Sequence, residues 1–411
     1  MIKLIYKLLT FILIILLPLI AIFRIFKNKE TFHSIKQKIG QYNVKPKKNI
    51  IWFHGSSVGE VLSVVPLIKK LEKNNKIDQI LITSNTLSSA KALSRIKFSK
   101  TIHQYFPLDF MYIVEKFLNF WKPKVCIFIE SEIWPNMIEN ISKKKIPLIL
   151  LNARITKKTY KKWSKIKFFS KNLFNNFNLC TPQNHETEYY LKKLGSKKIK
   201  FIGNLKLSEI DNKHLEELNH SQKKFFNSKK VLLIGYSTHP KEEVFCIDIF
   251  KKLRKNKNEI LILIPRHIER ADQIIKEIKN KNLIIQKHSL NNKINNNSDI
   301  YLVDTYGEAK KFLKYSKFIF TGGSIIPHGG QNPLDAVRQN AIILHGPNVQ
   351  NFKEIYQFLN DEKISFNIKN LRQAIKLIQN KKTTNINTKL KLKLISSKIL
   401  SKTTSELLKY V

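Results

Sequence analysis

Cysteine is scarce in this chain of 411 residues, where Cys126, Cys180 and Cys246 are the only three. None stands in a C-x-x-C pair or near a histidine-rich stretch, so neither a disulfide framework nor a metal site is expected. Their apolar or unpatterned surroundings suit a reducing compartment. Acids are also few: thirty Asp and Glu face seventy-four Lys and Arg, a formal net charge of +44. That surplus suits nucleic acid, an anionic membrane face or a phosphorylated substrate. Lysine is scattered through the whole sequence, however, loop-like stretches such as "NNKINNNSD" included, so charge alone selects no partner. A Walker A loop is missing, and no G-x-G-x-x-G follows the first strand pattern, so ATP hydrolysis and nicotinamide chemistry lose support. No internal repeat is evident, so a solenoid is not expected.

Hydrophobic residues make up 43% of the chain, enough for a globular fold, and the length suggests two large domains. The uncharged run "LLTFILIILLPLIAIF", residues 8–23, is preceded by Lys3 and Lys7 and followed by Arg24, Lys27 and Lys29. It reads as a signal peptide or a membrane anchor, and the lack of an A-x-A cleavage site favours an uncleaved anchor over residues 1–28. The run is shorter than the roughly 20 residues of a comfortable span, and Pro18 can bend it, so a shallow or tilted insertion stays open. Lys36, Lys38, Lys45, Lys47 and Lys48 tip the following chain toward the cytoplasmic side.

Beyond the anchor, short β-rich runs alternate with longer helical patterns. Strands are expected at 49–54, 79–84, 101–106, 125–130, 147–152, 178–183 and 199–204, and after a polar interval at 231–237, 259–266, 282–287, 300–305, 317–323 and 341–346. Runs apolar on both faces and separated by helices imply parallel sheets covered on each side. The expected fold is α/β, with two doubly wound Rossmann-like domains over 29–210 and 211–388 and a cleft between them. Residues 389–411 read as a basic amphipathic helix that packs back on the body or touches lipid.

Several strand ends carry chemistry. "HGSSVGE" (54–60) breaks the first strand at Gly55 and opens a helix carrying Glu60, which is equally a base facing a cleft and the acid of a Ser57–Glu60 capping box. "FIESEIWPN" (128–136) puts Glu130 and Glu132 at another strand end, beside Trp134. Two acids there are costly together unless a cation, a donor or a substrate hydroxyl uses them, although a solvated acidic loop is the plainer alternative. "PRH" (265–267) offers Arg266 and His267, where a guanidinium could grip a phosphate or simply sit exposed at a helix start. "DTYGE" (304–308) is a glycine turn that exposes backbone N–H groups. In "TGGSIIPHGGQNPLDAV" (321–337), Gly322, Gly323, Gly329 and Gly330 permit a mobile loop whose N–H groups can approach an anion. There Asn332 reads as an N-cap, Pro333 as the first helical residue and Asp335 as the third, an arrangement suited to a phosphate with an acid for ribose hydroxyls. Finally, "NARITKKTYKKWSKIKFFSK" (152–171) mixes basic residues with Tyr160, Trp163, Phe168 and Phe169. It suits single-stranded nucleic acid, a lipid headgroup region or a packed helix with solvated lysines; the anchor favours lipid, so nucleic acid is not an expected partner.

Taken in order, "HGSSVGE", "FIESEIWPN", "LNARIT", "GNLK", "PRH", "DTYGE" and "GGQNPLD" make the chain resemble the 3-deoxy-D-manno-octulosonic acid (Kdo) transferases of lipopolysaccharide synthesis, inverting glycosyltransferases of the GT-B fold. The resemblance runs from the anchor to about residue 360. It implies that Glu60 is the catalytic base and that Glu130 and Lys206 assist the transition state. It also implies that CMP-Kdo is held by Pro265, Arg266 and His267, by the turn Tyr306-Gly307-Glu308, and by Asn332, Pro333, Leu334 and Asp335. Its remaining implications are a lipid A precursor as acceptor, no metal, and a place at the cytoplasmic side of the bacterial inner membrane on anionic lipid. Two departures from the family pattern matter most: Gln331 stands where histidine is usual and Asp335 where glutamate is, which shortens a ribose contact by one methylene. Gly55 replaces the usual alanine. A GT-B transferase using a UDP-sugar on another membrane lipid, and a basic nucleic-acid or membrane scaffold, are the competing classes.

Overall fold

The computed structural model describes residues 6, 16–208, 217–279, 281–290, 294–381 and 387–411. Half of the expected anchor run, residues 8–15, lies outside these residues, as does the expected domain boundary at 210. Residues 16–26 are helical, with Leu19, Phe23 and Phe26 exposed. Among the described residues no helix is long and apolar enough to cross a membrane.

The chain divides into two compact units, residues 1–210 with 395–411 and residues 211–394. In the first, strands β1 (Ile50–His54), β2 (Gln79–Ser84), β3 (Thr101–Tyr105), β4 (Val125–Ile129), β5 (Leu148–Ala153) and β6 (Leu179–Pro182) form one sheet in the order β3-β2-β1-β4-β5-β6. Every pairing is parallel. β1, β2, β4, β5 and β6 are buried throughout, which is why their sequences are apolar on both faces. Trp52, Phe117, Phe128 and Phe174 fill one side of this core.

The seventh expected strand of this unit, 199–204, is not one. Ile199 makes a single bridge to Cys180. The chain then turns away at Gly203, whose φ of 119° lies in the left-handed region. The last helix, Thr388–Leu407, packs by its second half on this unit: Ser208 Oγ donates to Ser396 O at 3.3 Å, and Lys200 pairs with Glu406 at 2.5 Å.

The second unit holds β7 (Lys230–Thr238), β8 (Glu259–Pro265), β9 (Ile285–Lys287), β10 (Ile300–Leu302), β11 (Phe318–Thr321), β12 (Ile342–His345) and β13 (Ser365–Asn367), in the order β13-β12-β11-β7-β8-β10-β9. Its pairings are also all parallel. β13 was not expected, because three residues leave no periodicity to read. All three cysteines are buried and unpaired. Burial pushes the Cys180 thiol up to about 12.

In both sheets the order reverses beside the first strand of the unit, between β1 and β4 and between β7 and β11. Ligands of doubly wound sheets settle outside the carboxyl ends of the strands at such reversals. The motif residues lie there.

Candidate functional site

At the first reversal, β1 hands over to Gly55, Ser56 and the helix Val58–Ser63. Ser57 caps this helix, its Oγ accepting from Glu60 N at 3.4 Å. Glu60 Oε2 in turn accepts from Ser57 N at 3.2 Å and from Ser56 N at 2.6 Å. The capping box is therefore real, but it uses one carboxylate oxygen. Among the described residues no hydrogen bond reaches Oε1, so capping and proton transfer do not compete for the same atom. Partial burial, reinforced by the charge of Glu132, raises Glu60 to about 7; Glu130 adds to this, and the Ser57 and Ser56 N–H groups oppose it.

Glu132 is the opposite case. Burial pushes its carboxyl up, yet donors outweigh burial and hold it below the ordinary carboxylate range. Its Oε2 accepts from Ser56 Oγ at 2.6 Å and Trp134 Nε1 at 2.7 Å, and His54 Nε2 lies 2.9 Å away. His54 is itself buried, with Nδ1 3.0 Å from Thr83 Oγ1 and its ring stacked on Phe106. Glu60 after β1 and Glu132 after β4, neighbouring strands at the reversal, thus have pKa values shifted in opposite directions, the arrangement that assigns acid and base roles.

Glu130 points to a third environment. It is only 4% exposed and takes a left-handed φ of 58°. Its Oε1 lies 2.6 Å from Lys206 Nζ, an ion pair whose angle falls outside hydrogen-bonding geometry. Two asparagines set Lys206 in place: Asn204 Oδ1 accepts from Lys206 N at 3.0 Å, and Asn152 Oδ1 accepts from Leu205 N at 3.0 Å. The three residues expected to act in the first unit, Glu60, Glu130 and Lys206, are thus brought to one reversal, and the two acids of "FIESEIWPN" have different partners.

At the second reversal β7 ends at Thr238, β8 delivers Pro265, Arg266 and His267, and β11 runs into the glycine-rich loop. Pro265 is buried, whereas Arg266 and His267 are exposed. Gly322 is required here: a Cβ on it would lie 2.1 Å from Ser237 O. The loop differs from expectation. Its N–H groups do not await an anion, because Glu242, fully buried, accepts from Gly323 N at 2.7 Å, Ser324 N and Ile325 N at 2.9 Å, and His239 N at 3.0 Å. Gly330 N donates to Gly323 O at 2.7 Å.

The helix after this loop is Leu334–Arg338, five residues, with Pro333 in the capping position. It starts one residue later than expected. Asn332 Oδ1 still accepts from Leu334 N at 3.1 Å. So short a helix gathers little dipole. Asp335 is held by Lys310 Nζ at 2.8 Å and Arg338 Nη1 at 3.3 Å. In the turn Tyr306-Gly307-Glu308, Gly307 takes φ 83°, and Tyr306 Oη donates to Glu269 Oε1 at 2.5 Å, tying the turn to the segment after His267. Glu308 is drawn down to about 2: burial would raise it, but Lys311, Thr305 and His288 overcome burial. Among the described residues no group of three or more His, Cys, Asp or Glu is placed to hold a metal ion.

Sequence reasoning did not find Glu242, His239 or His288. Glu242 opens the helix after the first strand of its unit, as Glu60 does, and that parallel was the available signal. Burial separates them: Glu242 is enclosed by four N–H groups, whereas Glu60 is half-buried. In the segment 152–171, Tyr160, Trp163 and Phe169 pack against the core, and Phe168 is 83% exposed.

Residues 33–209 match the family model described as 3-Deoxy-D-manno-octulosonic-acid transferase (kdotransferase). A 3-deoxy-D-manno-octulosonic acid transferase of Rickettsia bellii is 31% identical over 377 residues, covering 91% of this chain and 89% of its own. That of Haemophilus influenzae is 28% identical, covering 76% and 74%. Among solved structures, the UDP-GlcNAc 2-epimerase of Neisseria meningitidis is 13% identical with a TM-score of 0.57, covering 88% of this chain and 99% of its own, a likeness of fold. Ordered motifs, strand-end geometry and these likenesses agree, and the chain belongs to the 3-deoxy-D-manno-octulosonic acid transferase family of glycosyltransferases.

Proposed function

We propose that the chain transfers Kdo from CMP-Kdo to the 6-hydroxyl of the distal glucosamine of a lipid A precursor, with inversion and with Glu60 as base. The observation that carries this reading is the pairing of Glu60, raised to about 7, with an ionised Glu132 that is bound on one oxygen by His54, Ser56 and Trp134. A base for a sugar hydroxyl works best when its pKa lies near the working pH.

The reaction moves one proton and one glycosyl group. The acceptor oxygen gives its proton to Glu60 Oε1 and forms a bond to the anomeric carbon of Kdo as that carbon's bond to the phosphate oxygen breaks. Negative charge grows on the departing CMP, and Arg266 is the cation assigned to it. Glu130 stabilises positive charge on the sugar, and Lys206, 2.6 Å from its Oε1, holds that side chain in place. Attack opposite the leaving group inverts the anomeric centre. No metal is assigned a role.

The lipid acceptor and a place at the cytoplasmic side of the inner membrane belong to the same proposal. Three observations support them. The helical residues 16–26 expose an apolar face, and Phe168 is exposed in a segment whose Lys157, Lys158, Lys161 and Lys162 are exposed as well. A cavity of about 360 Å³ lined by Leu17, Ile20, Phe106 and Leu108 includes Trp134 and Asn85, and Asn85 Nδ2 donates to Ser56 Oγ at 2.7 Å. An acyl chain there would run beside the carboxylate network.

The test incubates the purified protein with CMP-Kdo and a tetraacylated lipid A precursor and weighs the lipid. A mass gain of one or more Kdo residues, inhibited by CMP and not by UDP, supports the reading. Transfer from a UDP-sugar instead would replace the donor.

A further inference from the structure

His239 follows β7 at the second reversal and is 4% exposed, and among the described residues no carboxylate hydrogen-bonds its ring. Its ring centroid lies 4.2 Å from that of His328 and 5.8 Å from that of His267. Gln331 Nε2 is 3.3 Å from His239 Nε2. A Cβ placed on Gly323 would come within 3.5 Å of both His239 and His328 side chains, so the bare glycine leaves room at the rings. The charged groups acting on His239 are His328, His267, Arg270 and Arg266. Arg270 is tied to Glu243 at 2.8 Å, and Glu242 accepts from the His239 backbone N–H at 3.0 Å, so both nearby acids are already engaged.

Two guanidiniums beside three imidazoles that can each accept a proton favour an oxyanion at this strand-order reversal. We propose that His239, flanked by His267 and His328, is the seat of a donor oxyanion and takes up one proton as the anion enters. This rests on the reading of the second unit as donor-binding. Burial, reinforced by His328, His267, Arg270 and Arg266, holds His239 down at about 4, so it is neutral at pH 7. An anion reverses the local field, and the imidazole becomes imidazolium with both ring nitrogens donating. Gln331 is compatible with both states: its amide N–H donates to the neutral ring, and after rotation its carbonyl accepts from the charged one. The donor presents two oxyanions, the phosphate and the sugar carboxylate, and either chemistry fits the seat.

The test is calorimetric binding of CMP, of Kdo and of cytidine to the full-length protein at pH 7, in two buffers of different ionisation heat. The difference in heats counts protons taken up. For wild type we expect uptake approaching one proton with CMP if the phosphate is the ligand, or with Kdo if the carboxylate is, and none with cytidine. His239→Asn should abolish the uptake and weaken binding of that ligand by about tenfold. His328→Ala, at an exposed position, should weaken it by a smaller factor while the protein stays folded. Anion binding without proton uptake, or uptake that persists in His239→Asn, overturns the proposal while leaving the donor reading intact. Uptake with UDP in place of CMP, lost in His239→Asn, supports the seat and removes the cytidine donor. Failure of CMP, Kdo and UDP all to bind overturns the proposal.

Discussion

Glu60 and Glu132 are joined through one serine: Ser56 N donates to Glu60 Oε2 and Ser56 Oγ to Glu132 Oε2, both at 2.6 Å. The carboxylate kept ionised by three donors thereby stands near the one that is not, and its charge is the second cause, after burial, of the raised Glu60 pKa. A base must be deprotonated to act. The acid limb of kcat/KM should therefore fall near pH 7, and in Glu132→Gln it should move down by about half a unit or more. A pH–rate profile of the two proteins checks this, and an unmoved limb would separate Glu132 from the base.

Stability should carry the same signature with its sign reversed. Glu60 holds its proton in the folded state up to about 7, against 4.5 for an ordinary glutamate. Between these values the native state binds more protons than the unfolded one, so stability falls as pH rises through that window and is flat above it. Glu60→Gln removes the slope and should be more stable than wild type at pH 8, by on the order of 1–3 kcal/mol. Urea denaturation at pH 5 and pH 8 measures it.

Lys206 and Glu130 form a pair in which only the acid is deeply buried. Lys206→Ala leaves that carboxylate uncompensated and should cost about 2–4 kcal/mol. The double variant Glu130→Gln, Lys206→Met should recover most of the stability in thermal unfolding and none of the transfer rate. Recovery of both would make the pair purely structural.

Glu242 accepts from four backbone N–H groups, three of them from the glycine-rich loop. In Glu242→Gln one acceptor becomes a donor facing N–H groups. The expected result is a loss of about 2–4 kcal/mol and faster proteolytic cleavage within residues 322–331. Donor KM should rise more than kcat falls.

Much of this was legible in the residues. Doubly apolar runs gave the buried parallel strands, and the order of short motifs, through the family resemblance, singled out Glu60, Glu130 and Lys206. What stayed hidden depends on long-range pairing. Glu242 reads as a surface helix acid until Gly323, Ser324 and Ile325, some 80 residues later, turn their N–H groups toward it. The glycine loop looked open to anions for the same reason. Residues 199–204 carry a strand pattern, but pairing stops after one bridge at Ile199 and the chain turns in the left-handed region at Gly203, beyond which Lys206 reaches Glu130. His54 looked like the end of a strand, and only the fold shows it bridging Thr83 and Glu132.

Single-turnover transfer by Glu60→Gln tests the account most directly. Glutamine can keep the cap through its carbonyl oxygen but cannot take a proton from the acceptor. With CMP-Kdo and a tetraacylated lipid A precursor, followed by mass spectrometry, the variant should lose roughly 10²- to 10⁴-fold in rate while binding CMP as wild type does. Transfer at the wild-type rate would contradict the assignment of Glu60 as the base.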